Sequence, residues 1–133
     1  MENKNILVIE DNELNRKLVR AILQRSSYNI MEAVDAEGGI RLAREQRPGL
    51  ILMDIQLPGM DGLIATRIIK QDPGLQEIPV VALTGHAMEE DIEKAMEAGC
   101  AGYISKPFNI KDFLDTVNQF FQDAPSTFPQ RQE

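Results

Sequence analysis

Four short stretches of apolar residues interrupt an otherwise mixed chain: Ile6-Leu7-Val8-Ile9, Leu50-Ile51-Leu52-Met53, Val80-Val81-Ala82-Leu83 and, less purely, Gly102-Tyr103-Ile104-Ser105. A run of this length without polar alternation reads as a strand buried on both faces, as in a parallel sheet. Tyr28 to Val34 reads as a further strand. Between these runs the spacing turns helical. Asn12 is placed to N-cap a helix carrying Leu14, Leu18, Ala21, Ile22 and Arg25 on one stripe. Asp35 is placed to cap a second over Ala36 to Gln46. Gly38 and Gly39 weaken that helix by ~1 kcal/mol each relative to alanine, which predicts the least regular helix of the set. A third passes through Ile64, Ile68 and Ile69 and stops at Asp72-Pro73-Gly74. A fourth, from about Met88 to Ala98, carries Ile92, Ala95 and Met96 and ends at Gly99. The last has the clearest period, with Ile110, Phe113, Leu114, Val117, Phe120 and Phe121 forming a stripe expected to pack on the sheet.

Strands alternating with helices imply right-handed parallel crossovers and an α/β doubly wound fold. For five such units the flavodoxin-like sheet order 2-1-3-4-5 is the natural choice, and it makes the first and third strands neighbours at the switch point. Ligands in such sheets bind beyond the carboxyl ends of the strands. The 133 residues suffice for one domain, expected over 1–123, with 124–133 (Ala-Pro-Ser-Thr-Phe-Pro-Gln-Arg-Gln-Glu) as a flexible tail. Met1 and the short tail are what a complete protein would show.

Composition removes several classes of function. A net charge of −7 with scattered basic residues argues against direct nucleic-acid binding, which needs clustered Lys and Arg. No apolar stretch approaches the ~20 residues that span a bilayer, and the N-terminus has no signal-peptide hydrophobic segment. The single cysteine, Cys100, cannot form an internal disulfide, so the expected setting is cytoplasmic and Cys100 itself a small buried hydrophobe.

The chemistry lies where the apolar runs end. The first leads into Glu10-Asp11, the third strand ends at Asp54, the fourth at Thr84, and the last at Lys106-Pro107. In a parallel sheet these groups converge on one edge. Unit charges ~4 Å apart repel by ~4 kcal/mol at an effective dielectric near 20, so three carboxylates there need a cation or shifted protonation. Lys106 supplies one positive charge; the remaining pair of negative charges suits a divalent ion. All-oxygen ligands at an accessible edge favour Mg²⁺ over zinc, with Glu10, Asp11 and Asp54 as ligands and a backbone carbonyl near Gln56 completing the shell. Metal and lysine together suit phosphoryl transfer to the Asp54 carboxylate. The added charge could draw in the Thr84 hydroxyl, with Tyr103 following into the vacated space.

These residues carry a resemblance. Ile9-Glu10-Asp11-Asn12, Met53-Asp54-Ile55-Gln56-Leu57-Pro58-Gly59-Met60-Asp61-Gly62, Leu83-Thr84-Gly85-His86-Ala87-Met88 and Ser105-Lys106-Pro107-Phe108 stand in order at four strand ends. From Ile6 through Phe121 the chain resembles the CheY-like response-regulator receiver domains of two-component signalling, and among them stand-alone regulators of the DivK type. The resemblance implies that Asp54 is the phosphoacceptor, served by a histidine kinase or a histidine phosphotransfer protein. It implies that Glu10 and Asp11 are the acidic metal pair for Mg²⁺, that Lys106 contacts the phosphoryl group, and that Thr84 and Tyr103 are the switch pair. It further implies a cis Lys106-Pro107 bond, lifetime-tuning positions at Gln56 and His86, and output through a separate protein target. Gly85 departs from the alanine common in the family after the threonine, which predicts a more mobile loop.

Other readings fit less well. A haloacid-dehalogenase-type phosphatase needs a second acid two residues after its nucleophile, where this chain has Gln56. A flavodoxin-like cofactor binder needs a glycine-rich phosphate loop, and acids stand after Ile9 instead. A pseudo-receiver would lack part of the set. His86 as a phosphodonor is disfavoured by its loop position, Asp61 reads as a turn former, and Glu89-Glu90-Asp91 read as first-turn acids of a helix. The expectation is therefore a phosphorylated switch, with no enzymatic turnover beyond its own phosphorylation and dephosphorylation.

Overall fold

Each apolar run forms a strand. In the structure, a computed structural model that describes residues 4–57, 59–85 and 89–121, the strands are β1 (Asn5–Ile9), β2 (Asn29–Ala33), β3 (Leu50–Asp54), β4 (Val80–Thr84) and β5 (Gly102–Ser105). They pair in parallel in the order β2-β1-β3-β4-β5, as the alternation predicts. The helices are α1 (Glu13–Leu23), α2 (Ala36–Gln46), α3 (Gly62–Gln71), α4 (Glu89–Ala98) and α5 (Ile110–Asn118). The 124–133 tail, His86 and Met88 lie outside the described residues.

Residues alternate across the central strands between two cores. Leu7, Ile9, Ile51 and Met53 face the layer that includes Ala36, Ile40, Ala65 and Ile69 of α2 and α3. Ile6, Val8, Leu50 and Leu52 face the opposite layer, with Val19 and Ile22 of α1 and Phe113 and Val117 of α5. All five residues of β3 and of β4 are buried, including the polar ends Asp54 and Thr84. Full burial of one aliphatic side chain contributes about 1.5–3 kcal/mol, so this double-faced apolar sheet is what holds the polar strand ends in place.

Several helix expectations need correction. Asn12 does cap α1, accepting from the Asn15 amide at 2.9 Å. The buried face, however, is Val19, Ile22 and Leu23, while Leu14 is 74% exposed and Leu18, Ala21 and Arg25 are exposed. α1 carries two overlapping apolar stripes that share Ile22, roughly a quarter turn apart. The stripe of Val19, Ile22 and Leu23 is the one that meets α5 and the sheet, and Arg25 lies beyond the helix, past its C-cap Gln24. α2 is a continuous 11-residue helix and not an irregular one. Gly38 falls in its first turn, where its amide has no intrahelical partner and donates instead to Asp35 Oδ1 at 2.8 Å, and Gly39 makes the first helical bond, to the Asp35 carbonyl at 3.0 Å. A Cβ on Gly39 would lie 2.3 Å from Ile9 Cδ1, so glycine is what lets α2 approach β1. Phe113 and Val117 of α5 pack as expected, with Phe121 buried just beyond the helix, but Ile110 at the first turn is 45% exposed.

Two glycines shape opposite edges of the sheet, Gly99 ahead of β5 and Gly62 just past β3. Gly99 ends α4 at φ +112°, a region that side chains rarely adopt. Gly62 starts α3 so close to β3 that a Cβ would stand 2.3 Å from the Asp54 carbonyl oxygen. Asp61, read as a turn former, is the N-cap of α3 and accepts from the Ile64 amide at 3.0 Å. Cys100 is buried, and burial pushes its thiol above the ordinary range, as its reading as a small hydrophobe requires.

Candidate functional site

Strand register brings the acids together. β1 lies between β2 and β3, and the Ile9–Met53 pairing aligns Glu10, just past β1, with Asp54 at the end of β3. Oxygens of Glu10, Asp11 and Asp54 lie within 4.8 Å of one another. Glu10 and Asp54 are buried, at 1% and 3% exposure, while Asp11 is exposed. Two carboxylates sit inside the rim of the sheet and the third faces outward, which gives a small cation an entry side.

Main-chain amides hold the two buried acids. The Gln56 amide donates to Asp54 Oδ1 at 2.9 Å, and the Asn12 amide donates to Glu10 Oε2 at 3.2 Å. Lys106 reaches in from the end of β5, with Nζ 3.0 Å from Glu10 Oε1 and 3.3 Å from Asp54 Oδ2. Its amide donates to the Thr84 carbonyl at 2.8 Å, and the Lys106-Pro107 bond is cis. Glu10 Oε1 meets the ammonium as an ion pair at 3.0 Å and has no further partner among the described residues, so this buried oxygen keeps unmet acceptor capacity. The Glu10 carboxyl is held above the ordinary carboxylate range, chiefly by burial and then by its hydrogen bond with Asp54; Lys106 pulls the other way.

The set fits a magnesium ion on its own chemistry. Three carboxylates, with no nitrogen or sulfur donor grouped with them among the described residues, make a hard, all-oxygen site, as Mg²⁺ prefers. A buried carboxylate oxygen with unmet acceptor capacity is the acceptor that such an ion would satisfy.

Thr84 ends β4 buried at 3% exposure, while Tyr103 on β5 is 40% exposed. Alternation along β4 puts Thr84 on the face of Val80 and Ala82, and Tyr103 pairs with Ala82 in register. Ile104 faces the opposite core, so Thr84 and Tyr103 lie on the same side of the sheet. Gln56 is exposed beside Asp54, and among the described residues a Cβ on Gly85 would meet Gln56 Oε1 alone, at 4.0 Å. Glu89, Glu90 and Asp91 lie in the first turn of α4, where a helix dipole favours acids.

One site neighbour escaped the sequence reading. Arg16, the fourth residue of α1, donates from Nη1 to the main-chain oxygens of Glu10 and Asp11 at 2.9 and 3.0 Å. Side chains on a helix lean toward its N-terminus, so a basic residue five positions after an acid pair was a signal available in the sequence.

Comparison with known proteins agrees with this geometry. The response regulator receiver domain family matches residues 6–118. The polar-differentiation response regulator DivK of Brucella anthropi is 44% identical over 121 residues, covering 91% of this chain and 98% of that protein. The receiver domain of the sensor histidine kinase PA1611 of Pseudomonas aeruginosa superposes with a TM-score of 0.82 at 33% identity, over 89% of this chain and 97% of that one. That crystal structure has a magnesium ion coordinated in its active-site cleft. A putative response regulator of Chloroflexus aurantiacus shares the fold, with a TM-score of 0.85 at 22% identity over 88% of this chain and 96% of that one.

Proposed function

The chain belongs to the response regulator receiver domain family, and we propose that its signal is carried by phosphorylation of Asp54. The supporting observation is the convergence of Glu10, Asp11, Asp54 and Lys106 at the carboxyl edge of the sheet. Receiver domains are typically phosphorylated by histidine kinases; here the donor is a histidine kinase or a histidine phosphotransfer protein.

In the transfer, one Asp54 oxygen attacks phosphorus as the bond to the donor imidazole nitrogen breaks. The imidazole leaves with that electron pair, and Asp54 becomes an acyl phosphate. The Gln56 amide fixes the Asp54 carboxylate and limits its rotation. Lys106, already within ion-pair distance, neutralises phosphoryl oxygens as charge spreads over them. Mg²⁺ held by Glu10, Asp11, Asp54 and the Gln56 backbone carbonyl would supply further positive charge against those oxygens. The only catalysis on this reading is of the chain's own phosphorylation and dephosphorylation. Gln56 and His86 stand where side chains would tune the lifetime of the phosphorylated state.

Phosphorylation adds about one negative charge at neutral pH. The Thr84 hydroxyl then donates to a phosphoryl oxygen, and Tyr103, on the same side of the sheet, turns inward. The face around Tyr103 becomes the binding surface for a downstream protein, and a cytoplasmic setting completes this reading. Amide NMR with Mg²⁺ and a fluoroberyllate mimic of the acyl phosphate tests the switch. Shifts are expected at Thr84 and along β5 to Tyr103 as well as at Asp54; shifts confined to the acid pocket would contradict it.

A further inference from the structure

Glu10 and Asp11 occupy the turn between β1 and α1. The Glu10 amide bonds the Ala33 carbonyl, and the first helical bond runs from the Arg16 amide to the Asn12 carbonyl. The carbonyls of Glu10 and Asp11 thus fall between the end of a ladder and the start of a helix, where the chain has no regular partner for them. Arg16 Nη1 bonds both.

The guanidinium is itself held. Its Nε lies 3.5 Å from Glu32 Oε1, on β2. Arg20, one helical turn further along α1, grips Glu32 in a two-pronged pair, Nε to Oε2 at 2.7 Å and Nη2 to Oε1 at 2.9 Å. Those bonds hold the Glu32 carboxyl below its ordinary range, with the Arg16 charge adding to the effect. Glu32 is paired in register with Val8, two residues before Glu10, so the chain of contacts starts and ends on the segment that carries the acid pair. The Arg16 side chain is only 16% exposed, which limits the water available to replace it.

We propose that Arg16, braced by Glu32 and Arg20, is a positioning residue for the metal-binding acid pair. It fixes the main chain between Glu10 and Asp11, and so the spacing of the two carboxylates. This rests on the phosphoacceptor reading, in which those carboxylates hold Mg²⁺. Positioning and plain electrostatics predict opposite signs. Arg16 is a cation beside a cation site, so by charge alone its removal tightens Mg²⁺ binding. As a brace, its removal weakens binding, by about the 10–100-fold typical of groups that orient metal ligands. Lysine keeps the charge but not the fork that spans the two carbonyls and Glu32.

The test is calorimetric titration of Mg²⁺ into the wild type, Arg16→Met, Arg16→Lys, Glu32→Gln and the Met/Gln double variant, with thermal unfolding of each in EDTA. Arg16→Met is expected to bind 10–100-fold more weakly, Arg16→Lys to recover only part of the loss, and Glu32→Gln to weaken binding in the same direction. The double variant is expected to be no weaker than Arg16→Met, because both changes break one brace. Unchanged or tighter binding by Arg16→Met overturns the proposal. So does a lower unfolding temperature with unchanged affinity, which would make Arg16 a tie between α1 and β2. Full recovery by Arg16→Lys overturns it as well. A wild type that binds no Mg²⁺ overturns the phosphoacceptor reading and this inference together.

Discussion

Replacement of Lys106 by methionine is expected to slow phosphorylation of Asp54 by about 10²–10³-fold, the cost of removing one pre-positioned charge from a transition state in which charge spreads. The ammonium lies 3.3 Å from Asp54 Oδ2 and 3.0 Å from Glu10 Oε1, beside the carboxylate that attacks phosphorus on this reading. Methionine keeps most of the aliphatic stem, and saturating Mg²⁺ keeps the acid pair neutralised. The rate of acyl-phosphate formation from a small-molecule phosphodonor at saturating Mg²⁺ therefore isolates the lysine. A rate within twofold of wild type would remove Lys106 from the transfer and leave it only as a counter-ion for buried carboxylates.

Glu10→Gln is expected to change two properties in opposite directions. The Glu10 carboxyl is held above its ordinary value of 4.5, first by burial and then by Asp54. The folded state therefore binds more protons than the unfolded chain between that ordinary value and the raised one, and stability falls as pH rises through the window. Below the window the effect is absent; above it the whole penalty of a buried, crowded carboxylate is present. Glutamine removes that penalty, so the metal-free variant unfolds at a higher temperature than wild type at neutral pH, and the difference vanishes in acid. Affinity for Mg²⁺ moves the other way, since a ligand is lost. The loss should exceed the roughly 10–100-fold associated with groups that only orient ligands. In the wild type, Mg²⁺ must compete with the proton on Glu10, so binding tightens as pH rises through the same window. Thermal unfolding in EDTA across pH, paired with Mg²⁺ titration, checks both arms. A destabilised Gln variant at neutral pH would show that Glu10 contributes to the fold as an ion pair with Lys106 rather than opposing it.

What the sequence made legible divides along physical lines. Strands buried on both faces leave an unbroken apolar signature, so β1, β3 and β4 and the polar groups that end them could be placed without coordinates. Parallel order then put Glu10 beside Asp54. Where burial covers one face only, ambiguity entered. α1 offers two apolar stripes sharing Ile22, and which one faces the core depends on where α5 and the sheet lie, a tertiary fact. The glycines of α2 lower helix propensity, but their position at the helix start and the close approach to Ile9 decide the outcome. Arg16 was overlooked because its partners are main-chain oxygens, which no residue type marks, although its place five residues after the acid pair was a spacing the sequence offered. Tyr103 and Thr84 could be assigned to one side of the sheet only once β5 was seen to pair with β4 in register.

The central claim is that Asp54 is the phosphoacceptor, and intact mass tests it most directly. The wild type and Asp54→Asn would be incubated with acetyl phosphate and Mg²⁺, with and without EDTA. The account predicts a labile adduct of one phosphoryl group in the wild type with Mg²⁺ present, and none in Asp54→Asn or with EDTA. An adduct of the same mass on Asp54→Asn, or one formed equally in EDTA, would contradict it.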